Sequence, residues 1–273
     1  MNRAELVEQI KTKSSFLCVG LDSDITKIPE RFLATADPVF EFNKAIIGLT
    51  KEYCVAYKIN TAFYELNGAA GWETMQKTLE IIPNGIFKIA DAKRGDIGNT
   101  SEMYARAFFE TLNFDAVTLA PYMGNDSIQP FFKFKDKWGI VLALTSNPGS
   151  ADYETLQTGN EKLYERVIKN TSIIGTKENL MFVVGATKAE EFAGIRKIIP
   201  EHFLLVPGVG AQGGSLEQIA KHGINPDCGL LVNVSRSIIY AGSDNNFEEK
   251  VKKETLMIRN EMKNILKQHA IIQ

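Results

Sequence analysis

The stretch Gly85-Ile86-Phe87-Lys88-Ile89-Ala90-Asp91-Ala92-Lys93-Arg94-Gly95-Asp96-Ile97-Gly98-Asn99-Thr100 packs most of the chain's unusual chemistry into sixteen positions. Its apolar start, 85–90, reads as a buried strand, and 98–112 reads as a helix. The charges therefore sit where a strand gives way to a helix. Side chains at i and i+2 of a strand point the same way, so Asp91 and Lys93 are expected to project together. Asp96 lies beyond the strand and need not share their direction. Holding an Asp and a Lys side by side at a buried strand end is expensive unless something uses them. The D-x-K-x-x-D spacing alone fits a solvated charge cluster equally well, because loops are rich in Asp, Lys and Gly. The rest of the chain decides between the two.

Outward from that stretch, strand-like and helix-like segments alternate. Strands are expected at 16–21, 54–60, 85–90, 116–120, 140–144, 181–184, 203–206 and 229–234. Helices are expected from Pro38 (with Asp37 as N-cap), over about 69–82, 99–112, 127–134, 160–174, 188–199, 216–221 and 247–269. The segment 1–13, which mixes charged and apolar residues without the apolar core of a secretory signal, reads as a short surface helix. Most strands are continuous apolar runs, the mark of strands buried on both faces. Strict alternation implies a parallel sheet. Eight repeats within 273 residues match a closed (β/α)8 TIM barrel, with an open doubly wound sheet as the alternative. No low-complexity tract or composition break divides the chain, so 1–273 reads as a single domain.

In such a barrel the active site lies at the C-terminal ends of the strands. There the sequence places Asp22 after the first strand, Lys58 in the second, Asp91 and Lys93 at the third and Ser146 after the fifth. Gln212 falls in the loop after the seventh, and Arg236 after the eighth. Neighbouring strand ends should bring Lys58, Asp91 and Lys93 together. A lysine beside a carboxylate keeps its proton, which argues against a neutral Schiff-base lysine. The run Gly208 to Gly214 follows the seventh strand, so it is no dinucleotide fingerprint. It is an ordinary turn or a phosphate cradle. The barrel favours the cradle, because loops after strands seven and eight commonly bind phosphate and Arg236 falls in the second of them.

Composition narrows the function classes. Hydrophobic residues make up 44% and charged residues 23%, ordinary globular values. A net charge of −2 offers no basic excess for nucleic acid. No apolar run approaches the roughly 18 residues of a membrane span. Cys18, Cys54 and Cys228 lie in apolar surroundings without a C-x-x-C, as expected of buried free thiols in a reducing, cytoplasmic setting. His202, His222 and His269 keep no metal-ligand spacing with acids or cysteines, so no metal is expected.

These residues together resemble the orotidine 5′-phosphate decarboxylase family. The carriers are Asp91 to Thr100, Lys58, Asp22, Ser146-Asn147-Pro148-Gly149, Val209 to Gly214 and Arg236, in the family's order from Phe16 to about Tyr240. The likeness is to the family's longer branch, with extra residues around 150–160 and a long C-terminal helix. It implies cofactor-free decarboxylation of orotidine 5′-phosphate to UMP, the last step of de novo UMP biosynthesis. Lys93 matches the residue that protonates pyrimidine C6. Lys58, Asp91, Lys93 and Asp96 match an alternating charge network. Asp96 and Thr100 match residues that enter a neighbouring subunit's site, which implies a homodimer. Asp22 and Lys58 match contacts to ribose hydroxyls, Ser146 the residue facing the pyrimidine, and Gln212 and Arg236 the phosphate grip. Ser235 departs from the pattern, since many relatives have Gly there. The same superfamily holds sugar-phosphate enzymes that share D-x-K-x-x-D. They use magnesium held partly by an acid at the end of strand two, where this chain has Lys58. A non-catalytic nucleotide-binding barrel would show a lost charge in the network, and none is lost.

Overall fold

A computed structural model describes residues 1–210, 213–242 and 245–273. Among the described residues ten strands run in chain order: β1 Leu17–Gly20, β2 Ala56–Asn60, β3 Phe87–Arg94, β4 Ala116–Leu119, β5 Trp138–Leu144, β6 Gln157–Thr158, β7 Glu161–Lys162, β8 Leu180–Val184, β9 Phe203–Pro207 and β10 Leu230–Val234. Eight of them close a parallel barrel in the order β1-β2-β3-β4-β5-β8-β9-β10, with β10 returning to β1. The expected (β/α)8 architecture is the observed one. Its strands are apolar because both faces are covered: every residue of β1, β4, β8 and β10 is buried.

Three local expectations are corrected. The polar stretch 150–160 is not a plain loop. It forms a short helix, Ser150–Tyr153, and the antiparallel hairpin β6–β7 turned at Gly159, which delays the next helix to Leu163–Thr171. The segment expected as one helix over 188–199 kinks at Lys188 and becomes regular only over Phe192–Ile198. The N-terminal helix Arg3–Lys13 is more than a surface element: Leu6 and Ile10 are fully buried in the core. It docks against the barrel's N-terminal end, where the indole Nε1 of Trp138 donates to the Met1 carbonyl at 2.9 Å.

Other boundaries follow local chemistry. Asp37 caps Pro38–Thr50, its carboxylate accepting the Phe40 N–H at 3.1 Å. The helix Asn99–Arg106 continues as a wider turn over Ala107–Thr111, closed by the Leu112 N–H to the Ala107 carbonyl. All three cysteines are free and buried. Burial pushes the Cys54 thiol up to about 11 and that of Cys228 up to about 12, so neither is a reactive thiolate. Among the described residues no helix is long and apolar enough to cross a membrane.

Candidate active site

β3 is longer than the apolar run that announces it, and it carries the charges within the sheet. Against β2 it pairs regularly, Lys58 beside Ile89 and Asn60 beside Asp91. Against β4 the register slips: Ala90 pairs with Val117, but the next pair is Arg94 with Leu119. Three residues, Asp91, Ala92 and Lys93, thus face one, Thr118. Lys93 takes the left-handed backbone conformation, φ 49°. Asp91 and Lys93 do meet, with Lys93 Nζ 2.6 Å from Asp91 Oδ1. The reason is this bulge and the left-handed turn at Lys93, not the regular alternation of a strand.

The other oxygen of Asp91 is 2.7 Å from Lys58 Nζ, and Asp22 Oδ1 lies 3.5 Å from the same ammonium. The Lys58 side chain is 5% exposed and that of Asp91 12%, whereas that of Lys93 is 50% exposed. Burial by itself favours neutral Lys58, but the carboxylates of Asp22 and Asp91 outweigh it and hold the ammonium well above the ordinary lysine value. Burial likewise opposes the Asp91 carboxylate. Lys58 and Lys93 outweigh that too, and hold its carboxyl well below the usual range. The result is a fixed row of alternating charges, three of whose members are largely dry.

Asp22, Lys58 and Asp91 line one side of a cleft of about 170 Å³, and Gly208, Val209 and Arg236 line the other. The glycine loop is folded on itself. Val209 bridges to Gly214, the Gly214 N–H donates to the Gly208 carbonyl, and Gly208, Gly210 and Gly213 all have positive φ. A side chain at Gly214 would stand 2.4 Å from the Ala186 Cβ, so the loop is seated against the segment that follows β8. Arg236 is exposed at the start of a short helix, Arg236–Ile239. Lys93 faces a second, wider opening of about 620 Å³, shared with Pro121, Tyr122, Thr145 and Asn147.

Ser146 packs beside Gly185, where an added Cβ would stand 2.8 Å from its own. Asp96 turns onto its own loop, its Oδ1 accepting the Ile97 N–H at 2.7 Å, and Thr100 is exposed. Gln212 lies outside the described residues. The Ser235 hydroxyl donates to the Gly20 carbonyl at 3.0 Å. Reading the sequence missed Asn60, Asn233 and Ser237, which also line the charged cleft, and Thr118 behind it. Thr118 and Asn233 did carry a signal: each is a polar residue inside an otherwise apolar strand.

The match to known proteins runs through this whole frame. Residues 15–250 fit the model of the Orotidine 5'-phosphate decarboxylase / HUMPS family. The chain belongs to that family. A protein of Christiangramia forsetii called orotidine 5'-phosphate decarboxylase is 58% identical, covering 96% of this chain and 97% of its own. One of the same name from Flavobacterium johnsoniae is 56% identical, covering 97% and 98%. Among solved structures, Leishmania donovani OMP decarboxylase superposes with a TM-score of 0.83 at 37% identity, over 97% of this chain and 98% of that one. With relatives this similar over nearly their full length, the chain is an enzyme of the decarboxylase family, a carboxy-lyase.

Proposed function

We propose that this protein, as one barrel domain over 1–273, converts orotidine 5′-phosphate to UMP without a cofactor, with Lys93 protonating C6. The observation that carries the proposal is the Asp91 carboxylate held between Lys58 and Lys93, on a cleft whose far side is the glycine loop and Arg236. Loss of carbon dioxide breaks the bond from C6 to the carboxylate and leaves the electron pair on C6. An ammonium already fixed beside that carbon stabilises the charge as it develops and then supplies the proton. Lys93 is half exposed, so water can return its proton after turnover. Lys58 and Asp22 hold the ribose hydroxyls, Ser146 faces the base, and Gln212 and Arg236 grip the phosphate. Phosphate binding, remote from C6, supplies energy to close the site over the base.

The site is completed by a second copy of the chain, through Asp96 and Thr100. Asp96 accepts a hydrogen bond from its own loop, at the Ile97 N–H, and Ile97 is 69% exposed beside it. On the neighbouring loop after β4, Tyr122 is 87% exposed and Met123 50%. That apolar surface at the rim suits a subunit contact. The cytoplasm is the compartment that fits three unpaired cysteines. A net charge of −2 gives nucleic acid no purchase.

Orotidine 5′-phosphate absorbance, followed with purified protein in EDTA, tests the reaction. Turnover by wild type and none by Lys93→Ala is expected. Absence of wild-type turnover would instead direct attention to sugar phosphates with added magnesium. Mixing inactive Lys93→Ala and Asp96→Asn proteins tests the shared site: hybrid dimers contain one intact site and should regain activity. Mixtures that exchange subunits and stay inactive would refute it.

A further inference from the structure

Thr118 stands alone opposite the three-residue bulge of β3 and is 1% exposed. Its hydroxyl oxygen accepts the backbone N–H of Lys93 at 2.9 Å. The single hydroxyl hydrogen has two acceptors in reach: Asp91 Oδ1 at 3.1 Å and the Ala90 carbonyl at 3.5 Å. The carboxylate is both nearer and charged, so it takes the bond. Asp91 Oδ1 is also the atom that receives Lys93 Nζ at 2.6 Å. A closed ring results, from the Lys93 N–H to Thr118, to Asp91 and back to the Lys93 ammonium.

Resting on the reading of Lys93 as the acid, we infer that Thr118 is a positioning residue for proton transfer. Lys93 has two reasons to wander. Its backbone sits in a conformation that lysine rarely adopts, φ 49°, where the register slip has taken its strand out of step with β4. Its side chain is half exposed on a flexible four-carbon stem. Thr118 restrains both ends of the same residue, holding the N–H directly and the ammonium through Asp91. The β-branch of threonine fixes its own rotamer, so the hydroxyl is aimed before substrate arrives. Thr118 is buried behind the site and lines neither of its two openings. Its effect therefore falls on the geometry of the acid and not on binding.

The test compares Thr118→Val, Thr118→Ser and Lys93→Ala in the full chain, with UMP affinity measured by calorimetry beside turnover. Valine keeps the shape and the β-branch but removes the hydroxyl. The expected loss in kcat for Thr118→Val is on the order of 10- to 100-fold, the effect of a slightly misplaced catalytic group. KM and UMP affinity should stay within about two-fold, and Thr118→Ser should recover kcat to within about three-fold. If Thr118→Val does not fold, Thr118→Ala is held to the same criteria. An unchanged kcat overturns the inference, as does an equal loss in Thr118→Ser or a loss mirrored in UMP affinity. Full activity in Lys93→Ala would overturn the role of Lys93 itself. An inactive Lys93→Ala with a normal Thr118→Val would overturn only the role of Thr118.

Discussion

Lys58 is held by Asp91 at 2.7 Å, and the pair is dry on both sides, 5% and 12% exposed. Removing one partner of such a pair leaves the other buried and uncompensated. Asp91→Asn is therefore expected to abolish turnover and to cost about 3 kcal/mol of stability, read by urea unfolding. An Asp91→Asn protein as stable as wild type would mean that Asp22, at 3.5 Å, satisfies Lys58 alone. The pH dependence has a definite sign. The Asp91 carboxyl is held below its ordinary value, so its contribution is present above the usual carboxylate range and is lost only as pH falls through the folded-state value.

Arg236→Ala should leave the melting temperature unchanged, because the side chain is exposed. If Arg236 grips phosphate, kcat/KM should fall about 100-fold, the worth of a charge-assisted bond or two. An unchanged kcat/KM removes Arg236 from the phosphate site.

Gly20 and Ser235 meet where β1 closes onto β10. A Cβ at Gly20 would stand 2.7 Å from the Ser235 Cβ, closer than packed carbons come. Gly20→Ala is expected to destabilise by about 1–3 kcal/mol through overpacking. In a Ser235→Gly background most of that cost should vanish, a coupling that a double-mutant cycle reads directly. Additive effects would show that the strands move apart instead.

Arg196 binds four backbone carbonyls, those of Gly223, His202, Gly229 and Ile199, at 2.6, 2.6, 2.8 and 3.3 Å. Burial lowers its guanidinium to about 10, and it still serves as the staple between the helix after β8 and the ends of β9 and β10. Arg196→Met should cost about 3 kcal/mol or more in chemical denaturation, because the freed carbonyls lose charged donors. Turnover at low temperature should be unaffected. A matching loss of kcat would contradict a purely structural role.

Among the described residues neither ring nitrogen of His202 has a hydrogen-bond partner, and neither reaches solvent. Burial, with the cations of Arg3, Arg196 and Lys177 nearby, outweighs the opposing Glu201 carboxylate and lowers its imidazole to about 4. The folded state thus refuses a proton that the unfolded chain accepts below about pH 6.5. Stability should fall as pH drops from there towards 4, and His202→Phe should remove that part of the slope. Between pH 7 and 5 the variant should lose roughly 2–5 °C less in melting temperature than wild type. Parallel pH profiles would assign the slope to other groups.

Much of the fold was legible because it rests on local periods. Continuous apolar runs for strands covered on both faces, Asp37-Pro38 at a helix start and eight alternating segments are all properties of neighbouring residues. The exceptions arose where a local signal was too short to compete. Two-residue strands such as β6 and β7 have no period to read, and the kink at Lys188 interrupts a segment of helical composition. The candidate site was legible as a set of positions on strand ends. Their spacing was not, since Asp91 and Lys93 meet through a bulge that no rule of alternation contains.

By itself, the sequence determined the order of the eight barrel strands, the end of the barrel where charge collects and the residue types placed there, because each depends on backbone period and side-chain chemistry along the chain. Only the tertiary structure decided that three residues of β3 face Thr118, that Asp91 divides its two oxygens between Lys58 and Lys93, and that Gly20 makes room for Ser235. Those are relations between strands. Register and close approach are set by how the whole barrel closes, a condition that involves every strand at once and is written in none of them.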